Sequence, residues 1–140
     1  RGDRTYRALI VDGTNRVACT TPDCSGGPGE HVDWVLNADT EYYRPGLAVR
    51  IGTTDANGLF SFPLENAMVS DSSLIWTGFA VTDPAPVDWT SGVDCTDWTS
   101  EGAMVLGSYG ASGDTSDHSI AAALAGCDIT YANVICVSQD

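Results

Sequence analysis

Lysine is absent: all six basic residues are arginines, against 19 aspartates and glutamates, for a net charge of -13 over 140 residues. A surface so poor in positive charge repels phosphate backbones and anionic headgroups, which excludes nucleic acid as a partner. Long apolar runs are also missing. The longest, residues 7–11 and 120–125, fall well short of the ~20 residues a membrane span needs, so no membrane insertion of this domain is expected. No C-x-x-C pair occurs and neither His31 nor His118 stands at finger spacing, which argues against structural zinc. Catalytic signatures are lacking too. There is no H-E-x-x-H, no P-loop and no G-x-S-x-G, and Gly110-Ala111-Ser112-Gly113 lacks the elbow spacing. Glu30-His31 with Asp33 has the residue types of a general base and its orienter. Adjacent strand residues point to opposite faces, however, which leaves His31 at a loop edge, and no enzyme is expected. Neither long-period repeats nor heptads are present.

What the chain does contain is 43% hydrophobic and 18% charged residues in 14.7 kDa, the profile of one globular domain. A chain of this size buries roughly 68% of the surface exposed by its unfolded form, enough for a core without a metal. The acids are mostly aspartate and there are 15 glycines, a balance that favours β-structure and long loops over helix. The chain opens on Arg1 without an initiator methionine or signal sequence and reads as a fragment or a processed product. Five cysteines, Cys19, Cys24, Cys95, Cys127 and Cys136, suit an oxidised, exported protein. Two bridges and one leftover can be arranged in fifteen ways. Cys19 and Cys24 are near enough to close on each other across the loop of residues 22–29, or one of them pairs elsewhere.

Residues 5–11 alternate as a strand and break at Asp12-Gly13-Thr14-Asn15, so residues 16–20 are expected to return as the second strand of a hairpin. Short strands are also expected over residues 32–36, 41–44, 48–53 and 59–62. Residues 74–79 form the most apolar segment and are expected at the centre of a sheet. Residues 81–113 read as a long loop, either functional or stapled by its cysteine. A short alanine-rich helix capped by Ser116 or Asp117 is expected through Leu124, with loop as the alternative, and residues 131–137 close the fold as a strand.

Several residues are candidates for binding. Asp83, Asp88, Asp94 and Asp97 lie near Trp89 and Trp98, and oxygen ligands beside an aromatic are what calcium-mediated sugar binding requires; the alternative is that they solvate and turn the loop. Trp89, between Asp88 and Thr90, is the candidate for an exposed contact anchor, whereas Trp76 and Trp98 read as core. Tyr42, Tyr43 and Arg44 form a second patch suited to an interface, although strand alternation turns one tyrosine inward. The turn Thr54-Asp55-Ala56-Asn57-Gly58 has some residue types of a calcium loop but lacks its third acidic position and distal glutamate. Arg1-Gly2-Asp3 is an integrin-type tripeptide at the start of the chain.

One constellation spans nearly the whole sequence: Tyr6 through Thr21, Glu30-His31-Val32-Asp33-Trp34-Val35-Leu36 through Tyr43-Arg44, Trp76-Thr77-Gly78, Trp89, Cys95-Thr96-Asp97-Trp98-Thr99-Ser100, Cys127 and Val134-Ile135-Cys136-Val137. In order and spacing it resembles the C-type-lectin-like pattern. More closely, it resembles a bacterial domain family of uncharacterised function found in exported lipoproteins and leptospiral endostatin-like proteins. The resemblance implies an α+β, mostly β, C-type-lectin-like fold with long loops and disulfides. It implies a Cys95–Cys127 bridge, worth on the order of 3.7 kcal/mol in the chain-entropy model. Cys19 and Cys24 are then left to pair locally, and Cys136 has lost its partner in an N-terminal helix missing from this chain or bonds to another chain. The sugar-binding tripeptides E-P-N and Q-P-D, with a later W-N-D, do not occur.

The function implied is a non-catalytic adhesion domain at a bacterial surface, recognising proteins of extracellular-matrix or plasma type through its loops. The alternatives are a calcium-dependent or carbohydrate-binding lectin, and a structural subunit of a surface layer or filament that assembles through Cys136 or an edge strand. No cofactor is expected unless calcium.

Overall fold

A computed structural model describes residues 3–140. Arg1 and Gly2, two thirds of the integrin-type tripeptide, lie outside the described residues. The first strand, β1 (Tyr6–Ala8), does not form a hairpin with the residues that follow it. It pairs antiparallel with the last strand, β7 (Cys136–Ser138), in the register Tyr6↔Ser138, Arg7↔Val137, Ala8↔Cys136. The chain does turn where expected, because the Asp12 carboxylate gathers the amides of Thr14, Asn15 and Arg16. On the edge facing the returning segment Asp12 N–H reaches the Arg16 carbonyl at 3.1 Å, but the Ala8 carbonyl is taken by the Arg16 guanidinium at 2.7 Å and no ladder forms there. Leu9 N–H donates to Ile135 and Val11 N–H to Thr77, both at 2.8 Å. The returning segment instead forms single bridges, Val17 to Val32 and Cys19 to Thr90.

A second antiparallel pair joins β2 (Glu41–Tyr43) to β3 (Arg50–Thr53), with an irregularity between Tyr42 and Tyr43. The largest sheet has the order β4 (Leu74–Trp76), β5 (Leu106–Ala111), β6 (Ala123–Gly126), all antiparallel. The apolar segment expected at its centre is therefore an outer strand of this sheet, with Asn133 exchanging hydrogen bonds with Leu74 and Trp76 on its far side. The central strand is β5, which lies inside the stretch read as loop. Its composition conceals it, since glycine weakens a strand. Here the glycines are required by close approach: a Cβ on Gly107 would meet Cys95 Sγ at 2.6 Å and the Trp76 ring at 2.8 Å.

The expected alanine-rich helix is also corrected. Ser116 does cap a turn, its Oγ accepting from His118 N–H at 3.2 Å, but the turn is a single 3-10 turn, Asp117–Ser119. The alanines continue into β6, where pairing with β5 overrides their helix propensity. Likewise, residues 32–36 form no strand beyond the Val32 bridge, and Asp33 interrupts them at φ 49°.

The four-residue helical turn α1 (Cys95–Trp98) has φ of 54°, 58°, 53° and 62°, so it is left-handed. That hand costs roughly 1–2 kcal/mol per non-glycine residue, so strong ties must hold it. They are the Cys95–Cys127 disulfide (S–S 2.08 Å), the Asp94 side chain capping Asp97 N–H, and the Trp98 indole donating to the Val11 carbonyl at 3.0 Å. The second disulfide joins Cys19 to Cys24, and Cys136 is free and exposed. The chain is thus a small, mostly β domain with two disulfides. Its core centres on Leu9, Val11, Val35, Ile75, Phe79, Trp89 and Ile120, much of it supplied by loops. No helix among the described residues is long and apolar enough to cross a membrane.

Candidate functional site

A cleft of about 560 Å³ opens where four loops meet, within the roughly 300–1,000 Å³ typical of ligand sites. Its walls carry Asp23, Asp55 and Asp117, and its floor Leu59, Phe60, Phe62, Val87 and Trp89. Each loop is fixed by its own polar residues. The first contains the 3-10 turns Pro22–Cys24 and Pro28–Glu30 and is organised by the Glu30 carboxylate. That group accepts from Thr20 N–H at 2.8 Å, Thr21 N–H at 2.7 Å and both threonine hydroxyls, and also from Gly26 N–H. The Thr21 hydroxyl leads the effects that bring the Glu30 pKa down to about 2, with the backbone donors adding to it against the cost of desolvation.

In the second loop Asp55 Oδ1 accepts from Asn57 N–H at 2.8 Å and Leu59 N–H at 3.0 Å, an Asx turn. This is what the calcium-loop-like residues do. His31 and Trp34 fasten that turn to its surroundings, His31 Nε2 bonding the Asn57 carbonyl at 2.8 Å and the Trp34 indole donating to Gly58 O at 3.0 Å. With His31 Nδ1 on the Ala18 carbonyl, both ring nitrogens are engaged structurally. Asp33, its suggested companion, instead receives Arg7 and Arg16. The third loop is tied to the first by Asp23 N–H donating to Asp88 O at 2.8 Å, and to the fourth by Val87 N–H donating to Asp117 Oδ2 at 2.8 Å.

Trp89 is not the exposed anchor its polar neighbours suggest. It is 2% exposed, because its φ of 63° turns the indole inward while Asp88 folds back to hold the Thr90 amide and hydroxyl. Inside, its ring stacks on Phe62 (centroids 5.8 Å, 21°) and meets Phe79 and Trp34 edge-on at 5.2 and 6.1 Å. Trp89 is therefore floor, not projection.

The four loop aspartates also part company. Asp88 lies with Asp23 and Asp55, and the crowding has a consequence: burial first, then the charges of Asp88 and Asp55, push the Asp23 carboxyl upward. Asp94 and Asp97 lie at α1 beside Asp12, and burial followed by those two charges raises Asp97. Asp83 faces His118 at 3.9 Å. Among the described residues no three His, Cys, Asp or Glu side chains converge as metal ligands would.

The Tyr42-Tyr43-Arg44 patch is divided similarly. Tyr42 packs edge-on against Phe60 at 5.7 Å with its hydroxyl on Asn37 N–H, and Arg44 donates to the carbonyls of Ala67 and Val69. Tyr43 is left at the surface, donating to Glu41 at 2.8 Å.

The sequence reading did not anticipate Asp23, Phe60, Phe62 or Asp117 at a site. They come from four separated segments, and no local motif connects them; only the Asp55 turn carried a visible signal. Against known proteins, the family model described as "Protein of unknown function (DUF1554)" matches residues 1–115, a span that includes three of the four loops and ends two residues before Asp117. No curated protein and no solved structure matches. A match over so much of the chain settles its kinship, and the protein belongs to the DUF1554 family of proteins of unknown function.

Proposed function

We propose that the chain is an exported, non-catalytic domain of C-type-lectin-like type that recognises polypeptide ligands, of extracellular-matrix or plasma type, through its loops at a bacterial surface. The observation that carries this reading is the cleft itself: an aromatic floor under an acidic rim, built from loops, each locked by side-chain-to-backbone bonds. Rigid loops on a β scaffold present a preorganised surface and lower the ordering cost of binding. Two disulfides accord with export, and the engagement of both His31 nitrogens accords with a role other than acid–base chemistry. The test is binding of the full chain to immobilised matrix and plasma proteins, beside Ser61→Trp, which fills the cleft from an exposed wall position. Binding lost in the variant with an unchanged melting temperature supports the reading. Binding that survives the filled cleft, or none to any protein, refutes it.

A second reading, assembly into a surface structure, has one observation in its favour. The outer strand β6 carries no charged residue of its own and leaves Leu124 exposed, with Leu106 and Met104 also exposed, a strand edge on which a second copy can pair. Sedimentation at rising concentration tests it, and a monomer throughout rejects it.

A further inference from the structure

The cleft has a charge imbalance that no salt bridge among the described residues relieves. Asp55 and Asp117 each give one carboxylate oxygen to backbone amides. No donor within the described residues reaches their second oxygens, and none reaches the Asp23 carboxylate. Four of the six arginines are occupied elsewhere: Arg7 and Arg16 at Asp33, Arg50 between Glu41 and Glu65, and Arg44 on backbone carbonyls. No described salt bridge includes Asp23, Asp55, Asp88 or Asp117.

Below this rim lies the half-buried Phe62 ring, backed by the buried Trp89 on which it stacks, with buried Phe60 also in the lining. Ring faces carry negative quadrupole density and attract a cation whose stem is apolar. The two halves of the cleft thus favour the same chemistry, carboxylates for a charged head and aromatics for its delocalised or alkyl part. A neutral apolar ligand would leave the rim aspartates facing one another, and an anionic one would be repelled.

Resting on the polypeptide-recognition reading, we infer that the cleft binds a basic side chain of the partner, its guanidinium or ammonium group set at the Asp23 and Asp55 side of the rim over the Phe62 ring. Burial and then the charges of Asp88 and Asp55 raise the Asp23 carboxyl, and an incoming cation offsets those charges. The partner is then a polypeptide that presents an exposed arginine or lysine, and attraction to a chain of net charge -13 brings it to the cleft.

The test is a titration of the isotope-labelled full chain with a doubly capped glycyl-arginyl-glycine peptide and with its citrulline isostere, following the amide signals of Asp23, Phe62, Val87 and Asp117. The arginine peptide is expected to move these signals saturably, with the uncharged isostere about tenfold weaker. Asp23→Asn, at an exposed carboxylate with no hydrogen-bond partner, is expected to weaken the arginine peptide about threefold with no fall in melting temperature. Equal binding of the two peptides, or an undiminished affinity in Asp23→Asn, overturns the inference and leaves the cleft as a polypeptide site without charge selection. Silence of these signals toward both peptides overturns the inference and the polypeptide reading of the cleft together.

Discussion

The Trp98 indole N–H donates to the Val11 carbonyl across 87 residues of sequence, at 3.0 Å, and joins the left-handed turn to the core. Gly78 lies in the same contact. At φ 80° its missing side chain makes room for the Val11 carbonyl, which any Cβ there would strike, and the Trp98 ring would stand at 3.0 Å. Replacing Trp98 with Phe leaves that carbonyl unsatisfied and is expected to cost about 1–2 kcal/mol in urea denaturation. Gly78→Ala is expected to cost more, because it combines a clash with a strained backbone.

The left-handed turn itself makes a prediction of opposite sign. Thr96 is exposed, β-branched and held at φ 58°. Thr96→Gly removes a conformational penalty and is expected to stabilise the protein by about 0.5–1 kcal/mol after glycine's greater unfolded-state freedom is counted. An unchanged or lower urea midpoint would show that the turn carries little strain.

Acid stability follows from two carboxylates. At Glu30 the Thr21 hydroxyl leads the lowering, to about 2. At Asp12 burial acts upward, but the donors from Arg16, Asn15 and Thr14 outweigh it and bring the pKa to about 2 as well. Both folded values lie below the ordinary 4.5 and 3.8, so the stabilisation is complete above those pH values and is lost as pH falls toward 2. Melting temperatures recorded from pH 7 to 2 are expected to fall in that window, and less steeply in Glu30→Gln. Asp23 has the opposite sign: its raised pKa favours the protonated fold, so Asp23→Asn is expected to melt slightly higher than the parent at neutral pH.

The two disulfides differ in the loops they close, with sequence separations of 32 and 5. Chain entropy assigns on the order of 3.7 kcal/mol to Cys95–Cys127 and about 2 kcal/mol to Cys19–Cys24. Double alanine replacements are expected to lower stability in that order, read by chemical denaturation. Alkylation of the unreduced protein is expected to add a single group, at the exposed Cys136.

Calcium provides a further check. The loop aspartates divide among three places, so the melting temperature is expected to be the same in millimolar calcium and in chelator. A rise in calcium would mean that a cation bound to the folded state, and would return the lectin reading to first place.

Turn chemistry was legible because it is local. The turns at Asp12 and Asp55 are made by carboxylates binding amides within four residues, a pattern visible in the order of residues alone. Strand identity was less so: Gly107 and Gly110 hide the central strand, since their lack of a side chain serves neighbours far away in sequence. The polar flanks of Trp89 misled for a similar reason. Asp88 and Thr90 satisfy each other, and the indole turns to Phe62 and Phe79.

By itself the sequence determined the acidic surface, the loop-rich and mostly β character, and the places where aspartate and glycine turn the chain. The order of its motifs, through resemblance, pointed to the Cys95–Cys127 bridge. The tertiary structure alone decided that Tyr6 meets Ser138, that residues 74–76 lie outside β5, and that Asp23, Asp55 and Asp117 share a rim. The division has a physical cause. A carboxylate and the amides of its own turn are within reach in any compact state of the chain, whereas a strand's partner and a cleft's opposite wall are selected by the packing of the whole core.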